Sequence, residues 1–196
     1  MYIHKNNLVL RKIERNDLPI LLALKNESWF GTHKVSILNS SDQEKWFDRI
    51  SGSHTDLVLI AEERLSTRPD KRVGTFKIAN IDWLSRSCDV GHDIFSHSRG
   101  TGFGYKIVEA GIDFCFEILN MNRLAAEVLE NNVASQKTLF GGGFLKEGNR
   151  SKAVYKCNQY LDSIICGIIR DNWQNLKRVK DYGGLCNQSY TPLNGK

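Results

Sequence analysis

The run Arg99-Gly100-Thr101-Gly102-Phe103-Gly104 has the residue types that hold phosphates, and it lies between an apolar strand-like segment and a long amphipathic one. Alternating glycines let several backbone N–H groups converge on one anion, and a helix opening at the same place adds the positive end of its dipole. Such a turn suits a pyrophosphate-bearing cofactor. The hexapeptide alone also fits any loop before a helix, so the elements around it decide. The five cysteines, Cys88, Cys115, Cys157, Cys166 and Cys186, have no spacing that would gather a metal. The first four sit in apolar periodic segments and read as reduced core residues.

These residues must be positioned by a chain of 196 residues, enough for one ordinary domain. Hydrophobic residues make up 41 % and charged residues 25 %, and no apolar run approaches the roughly 20 residues of a membrane span. The start, Met1-Tyr2-Ile3-His4-Lys5, carries no apolar core and cleavage site, so a cytoplasmic protein is expected. The balance of 27 basic to 22 acidic residues, net +5, mildly favours anionic ligands but falls short of the basic stripe of a nucleic-acid binder. Part of the excess, Lys177, Arg178 and Lys180, lies in what reads as a solvated tail.

Along the chain, Leu8 to Ile13 reads as a strand, and Asn16 or Asp17 can cap a helix carrying Ile20, Leu21 and Leu24. Ser40 to Glu44 open a second helix with Trp46, Phe47 and Ile50 as core anchors. Leu57–Ala61, Val73–Ile81 and Cys88–Phe95 follow as strands, with Gly91 marking a possible bulge. From Gly102 to Leu119 apolar residues recur at helical spacing, with Lys106, Glu109, Asp113 and Glu117 on the wetter face. Arg123–Leu129 is a strand, Asn131 or Asn132 caps a helix through Leu139, and Gly141-Gly142-Gly143 stops it. Gly143–Leu145, Ala153–Cys157 and Ile164–Ile169 complete a β-rich end, and the last of these strands could pair across a homodimer.

Strand, Arg-x-x-Gly-x-Gly, helix, strand, Asn-x-x-Ser, helix, Gly-Phe, in this order and spacing, resembles the GNAT acyl-CoA-dependent N-acetyltransferases. The matching pieces are Val90–Phe95, Arg99 with Gly102 and Gly104, Glu127-Val128, Asn132 with Ser135, and Gly143-Phe144. The likeness runs from about Leu8 to Trp173. It is nearest the protein N-terminal and ribosomal-protein acetyltransferases and the enzymes that acetylate nucleotide-linked amino sugars. The resemblance implies a single α/β (α+β) domain over residues 1–173 with a polar tail over 174–196. Its sheet would be mixed, mostly antiparallel, twisted, of six to seven strands flanked by about four helices, and splayed between the fourth and fifth strands.

It also implies roles for residues. The backbone of Arg99, Gly100, Thr101, Gly102, Phe103, Gly104 and Tyr105 would bind the pyrophosphate of acetyl-CoA, with Arg99 or Lys106 on outer phosphates and Gly102 and Gly104 leaving room for close approach. The pantetheine arm would pair with the strand edge at Ile94 and Phe95, whose amides could also stabilise the oxyanion, and with Asn132. An alkylammonium of pKa about 10 must lose a proton before it attacks. Glu127 stands where related enzymes place a carboxylate, with Asp89, Asp93 and His92 as competitors. Leu139 replaces the tyrosine that many GNAT enzymes use to protonate the thiolate, and the Ser135 hydroxyl could substitute, with Tyr155 a more distant candidate.

The expected reaction moves acetyl from acetyl-CoA to a primary amine by direct attack in a ternary complex, without a metal. The acceptor would be a protein N-terminus or a nucleotide-linked amino sugar. Leu139 leaves a non-catalytic acyl-CoA-binding module as an alternative. The positive balance with Trp29, Phe30, Lys34 and the basic tail leaves a nucleic-acid or ribosome-directed enzyme.

Overall fold

A computed structural model describes residues 3–5, 7–28, 31–33, 38–64 and 70–182. Trp29, Phe30, Lys34 and Cys186 therefore lie outside the described residues, as does the tail from 183 onward. The chain order is β1 (Ile3–Lys5), β2 (Leu8–Lys12), α1 (Leu18–Glu27), α2 (Ser40–Ser51), β3 (Leu57–Glu63), β4 (Lys71–Asp82), β5 (Ser87–Ile94), α3 (Phe103–Asp113), β6 (Arg123–Leu129), α4 (Val133–Gly141), β7 (Leu145–Lys156), β8 (Gln159–Ile169) and α5 (Arg170–Tyr182). The strands form one sheet in the order β1-β2-β3-β4-β5-β6-β8-β7. Every neighbouring pair is antiparallel except β5 and β6. No helix among the described residues is long and apolar enough to cross a membrane.

Two cores form because helices cover both faces of the sheet. On one face α3 packs Ile107, Val108 and Ile112 onto Phe76, Ile78, Val90, Leu124 and Val128. Contact there is close: a Cβ on Gly111 would stand 2.3 Å from the Phe76 ring, so this helix position tolerates only glycine. On the other face Leu18, Leu21 and Leu24 of α1 and Ile50 of α2 pack on Val58 and Ile60. Strand alternation then assigns sides to the polar residues. Cys88, Val90 and His92 face α3, whereas Asp89, Asp93 and Glu127 face α1 and α2.

Several expectations are corrected. The irregularity beside β5 is not at Gly91, which pairs regularly with Lys77; it lies on β4 between Ala79 and Asp82, where Asn80 has φ 52°. Asp17 makes no cap bond to α1. Its carboxylate is fully buried, accepting from Arg11 at 2.7 and 2.8 Å and lying 3.0 Å from Arg72 Nε. Helix α2 opens at Ser40 as expected and is capped by Asn39, reciprocally with Asp42. Asp113 is not on a wet face: it is buried and accepts from the Trp173 indole N–H at 2.9 Å. Cys157 is exposed because it and Asn158, at φ 47° and 62°, form the tight turn between β7 and β8; Cys88, Cys115 and Cys166 are buried.

The C-terminal half differs most. Leu145 and Ala153–Lys156, expected in separate segments, belong to one strand, β7, hydrogen-bonded along β8 with two register shifts. The Ile164–Ile169 strand is flanked on both sides by β6 and β7, so it offers no free edge for a dimer. Helix α5 continues through residue 174, the expected start of the tail, to Tyr182. Its Trp173 packs 5.0 Å from Phe116, centroid to centroid, and Lys177 pairs with Glu117.

Candidate active site at the parting strands

The parallel pairing of β5 with β6 stops after Ser87–Arg123, Cys88–Leu124 and Asp89–Ala125. Beyond that, β5 stays with β4 as far as Ile94, and β6 stays with β8 as far as Leu129. A wedge opens between them. The Phe95 N–H donates to Val73 O at 3.1 Å, so alternation turns the Phe95, Asp93 and Gly91 amides toward β4 and those of Ile94, His92 and Val90 toward the wedge. Phe95 itself is buried in the α1–α2 core and its amide is engaged. Of the two strand-edge residues expected here, Ile94 keeps an amide with no partner among the described residues.

At the mouth of the wedge the glycine turn enters α3. Gly100 and Gly102 have φ 75° and 85°, and a Cβ on either would meet nothing within 4 Å. The left-handed conformation, not crowding, selects glycine there, since another residue costs about 1–2 kcal/mol. Gly102 caps α3 without a side chain, and no acidic residue stands in the first turn. The N–H groups of Phe103, Gly104 and Tyr105 precede the first intrahelical bond, Lys106 N to Gly102 O at 3.5 Å. The turn is buttressed by the Thr101 hydroxyl, which donates to Ser98 O at 2.6 Å. Gly104 has a different reason: its Cβ would lie 3.3 Å from Thr138 Oγ1 on α4. Arg99 donates from Nε to Ile94 O at 3.3 Å and sits 4.0 Å from Glu27. Tyr105, half exposed, covers Gly141.

One arm of the wedge carries a buried charge cluster on the α1–α2 side. Lys77 pairs with Asp93, and Lys25 of α1 approaches the same oxygen at 3.6 Å. Burial would raise the Asp93 pKa, but the two ammonium groups outweigh it and hold the carboxyl below its ordinary value. Burial and the charge of Lys77 bring Lys25 down to about 8. On the α3 side, burial brings His92 down to about 4, so it is neutral at pH 7. Asp89 accepts from Asn80 Nδ2 at 2.8 Å.

The other arm brings together residues remote in sequence. Glu127 accepts from Arg150 at 3.1 and 3.3 Å. His33, from the connection after α1, places Nε2 2.7 Å from Ser163 Oγ and 3.9 Å from Glu127. Burial lowers the His33 pKa; Glu127 opposes that, while Lys156 and Arg150 add to it. Asn132 caps α4 by accepting from Ser135 N at 3.2 Å and donates to Gly31 O at 3.1 Å, tying the same connection to α4. Ser135 is half-buried in that first turn. Leu139 is buried in the α3 core. Tyr155 is exposed and donates to Asn158 near the β7–β8 turn. His33, Arg150 and Ser163 were not found by sequence reading, because each sits alone in its own segment. Among the described residues no cluster of histidine, cysteine and carboxylates could hold a metal.

Residues 7–144 match the acetyltransferase (GNAT) domain family. The N-acetyltransferase p20 of Bacillus licheniformis is 29 % identical over 150 residues, covering 74 % of this chain and 83 % of that one. Spermidine N(1)-acetyltransferase of Vibrio cholerae is 21 % identical over 180 residues, covering 87 % of this chain and 97 % of its own length. A crystal structure of the Vibrio cholerae spermidine N-acetyltransferase with CoA and spermine superposes with a TM-score of 0.81 at 20 % identity, over 87 % of this chain and all of that one.

Proposed function

The chain belongs to the acetyltransferase (GNAT) domain family, and from that premise we propose that its acceptor is a cationic aliphatic amine, a polyamine or a peptide N-terminus, received on the Glu127 side of the wedge. As a member of the family it is an acetyl-CoA-dependent N-acetyltransferase. The residues present fit that cosubstrate: two left-handed glycines with open space before them, the uncapped start of α3, and a strand edge bared at Ile94. In this reading the amides from Gly100 to Tyr105 hold the pyrophosphate, and Arg99 and Lys106 meet outer phosphates. The Ile94 amide, facing the wedge, pairs with the pantetheine arm or with charge developing on the carbonyl oxygen. Acetyl-CoA supplies an activated acetyl thioester.

The observation that carries the acceptor reading is Glu127. It faces away from α3, beyond the last β5–β6 pair, and is about one-third exposed. A carboxylate there attracts an ammonium group, and Arg150 is the counter-ion that the incoming cation displaces. A polyamine is supported by the likeness to the Vibrio cholerae enzyme, and a peptide N-terminus by the Asn132-x-x-Ser135 form. The test is amine-dependent thiol release from acetyl-CoA with spermidine, a basic peptide with a free N-terminus, and a nucleotide-linked amino sugar. Turnover of either cation above the sugar is the expected result; preference for the sugar overturns it.

A further inference from the structure

His33 lies beside Glu127. Its Nε2 meets both the fully buried Ser163 hydroxyl, at 2.7 Å, and Glu127, at 3.9 Å. A hydrolase-type relay would put hydroxyl and carboxylate on opposite ring nitrogens, so this is a different device. A carboxylate beside Nε2 favours the tautomer protonated there, and Nδ1 has no hydrogen-bond partner among the described residues. The ring thus keeps one lone pair unengaged among the described residues, on an imidazole whose other nitrogen lies 3.9 Å from Glu127.

We propose that His33 Nδ1 is the proton acceptor for the amine, with Ser163 orienting the ring and Glu127 docking the substrate; this rests on the acceptor reading above. Glu127 is engaged on both oxygens by Arg150, whereas His33 Nδ1 has no hydrogen-bond partner among the described residues. The charged groups facing His33 are Glu127 from β6 and Arg150 and Lys156 from β7. Burial with the two cations holds it below 6.5, so it is neutral and able to accept at pH 7. The amine proton passes to Nδ1, and the freed nitrogen lone pair forms the N–C bond. The C–S bond breaks, its electron pair leaves with sulfur, and the nitrogen sheds its second proton to solvent while solvent protonates the thiolate.

The first test is the tautomer and titration of His33 by ring nitrogen NMR in the free protein. The expected result is a neutral Nε2–H tautomer with a pKa below 6.5 that falls further in Glu127→Gln; an Nδ1–H tautomer overturns the proposal. The second is the pH dependence of kcat at saturating amine. Wild type should lose activity as pH falls through the His33 pKa. His33→Gln should lose that limb and about 100-fold in kcat, the lower end of general-base contributions, while keeping its thermal shift with acetyl-CoA. Ser163→Ala should keep the limb with a smaller loss of rate. A His33→Gln enzyme with unchanged kcat and limb overturns His33 alone. A wild type that acetylates only the sugar overturns the acceptor reading instead, and the tautomer still decides for His33.

Discussion

Replacing Asp93 with asparagine should destabilise the protein strongly, because it leaves two lysines facing each other without an anion. The Asp93 side chain is 13 % exposed, and Lys77 and Lys25 are 28 % and 29 % exposed. Breaking a buried pair costs about 3–5 kcal/mol, and the partial exposure of the lysines screens that to about 2–3 kcal/mol. For a chain of 196 residues the melting temperature should fall by about 4–12 °C at pH 7. The pH dependence fixes the cause. The folded pKa of Asp93 is depressed below its ordinary 3.8, so its contribution is complete above that value and is lost as pH falls through the folded one. The difference between wild type and Asp93→Asn should therefore be flat from pH 7 to pH 5 and shrink below pH 3.8. It should also narrow toward pH 9, because Lys25, already at about 8, loses its proton more readily without the carboxylate. Thermal denaturation across this range is the assay. A loss below 2 °C at pH 7, or a gap that persists undiminished at pH 2, would refute the charge-anchor reasoning and return Asp93 to the list of candidate bases.

Three further outcomes are expected. Glu127→Gln should raise the KM for the amine and lower kcat, while the melting shift with acetyl-CoA is retained; unchanged steady-state kinetics would remove Glu127 from the acceptor site. Leu139→Tyr should not restore a thiolate acid, since position 139 is 3 % exposed in the α3 core; overpacking of about 1–3 kcal/mol should lower the melting temperature without a rate gain. Cys157→Ser should remove one fast-reacting thiol in native titration with a chromogenic disulfide, as Cys88, Cys115 and Cys166 are buried.

The glycine turn and the Asn132 cap were legible because each depends on a local signal: a left-handed backbone, a side chain three residues from its partner. The parting of β5 from β6 was expected only from the family resemblance. The β7–β8 hairpin was not legible. Leu145–Lys156 lies at the sheet edge, exposed over most of its length, so no face of LKEGNRSKAVYK needs apolar residues and its middle, between Leu145 and Ala153, reads as loop. Asp113 misled for the opposite reason. Its spacing puts it on the outer face of α3, and only the return of α5, some 60 residues later, covers that face with Trp173. The pairing of Glu127 with Arg150 and His33 joins β6, β7 and the α1–α2 connection, and no spacing along one element carries it.

The most direct test of the account is a crystal structure of the protein with CoA and an amine such as spermidine. The account predicts the pyrophosphate on the amides from Gly100 to Tyr105, the pantetheine arm between β5 and β6, and the amine nitrogen beside Glu127 within reach of His33. A cofactor bound away from the glycine turn, or an amine entering from the α3 side of the sheet, would contradict it.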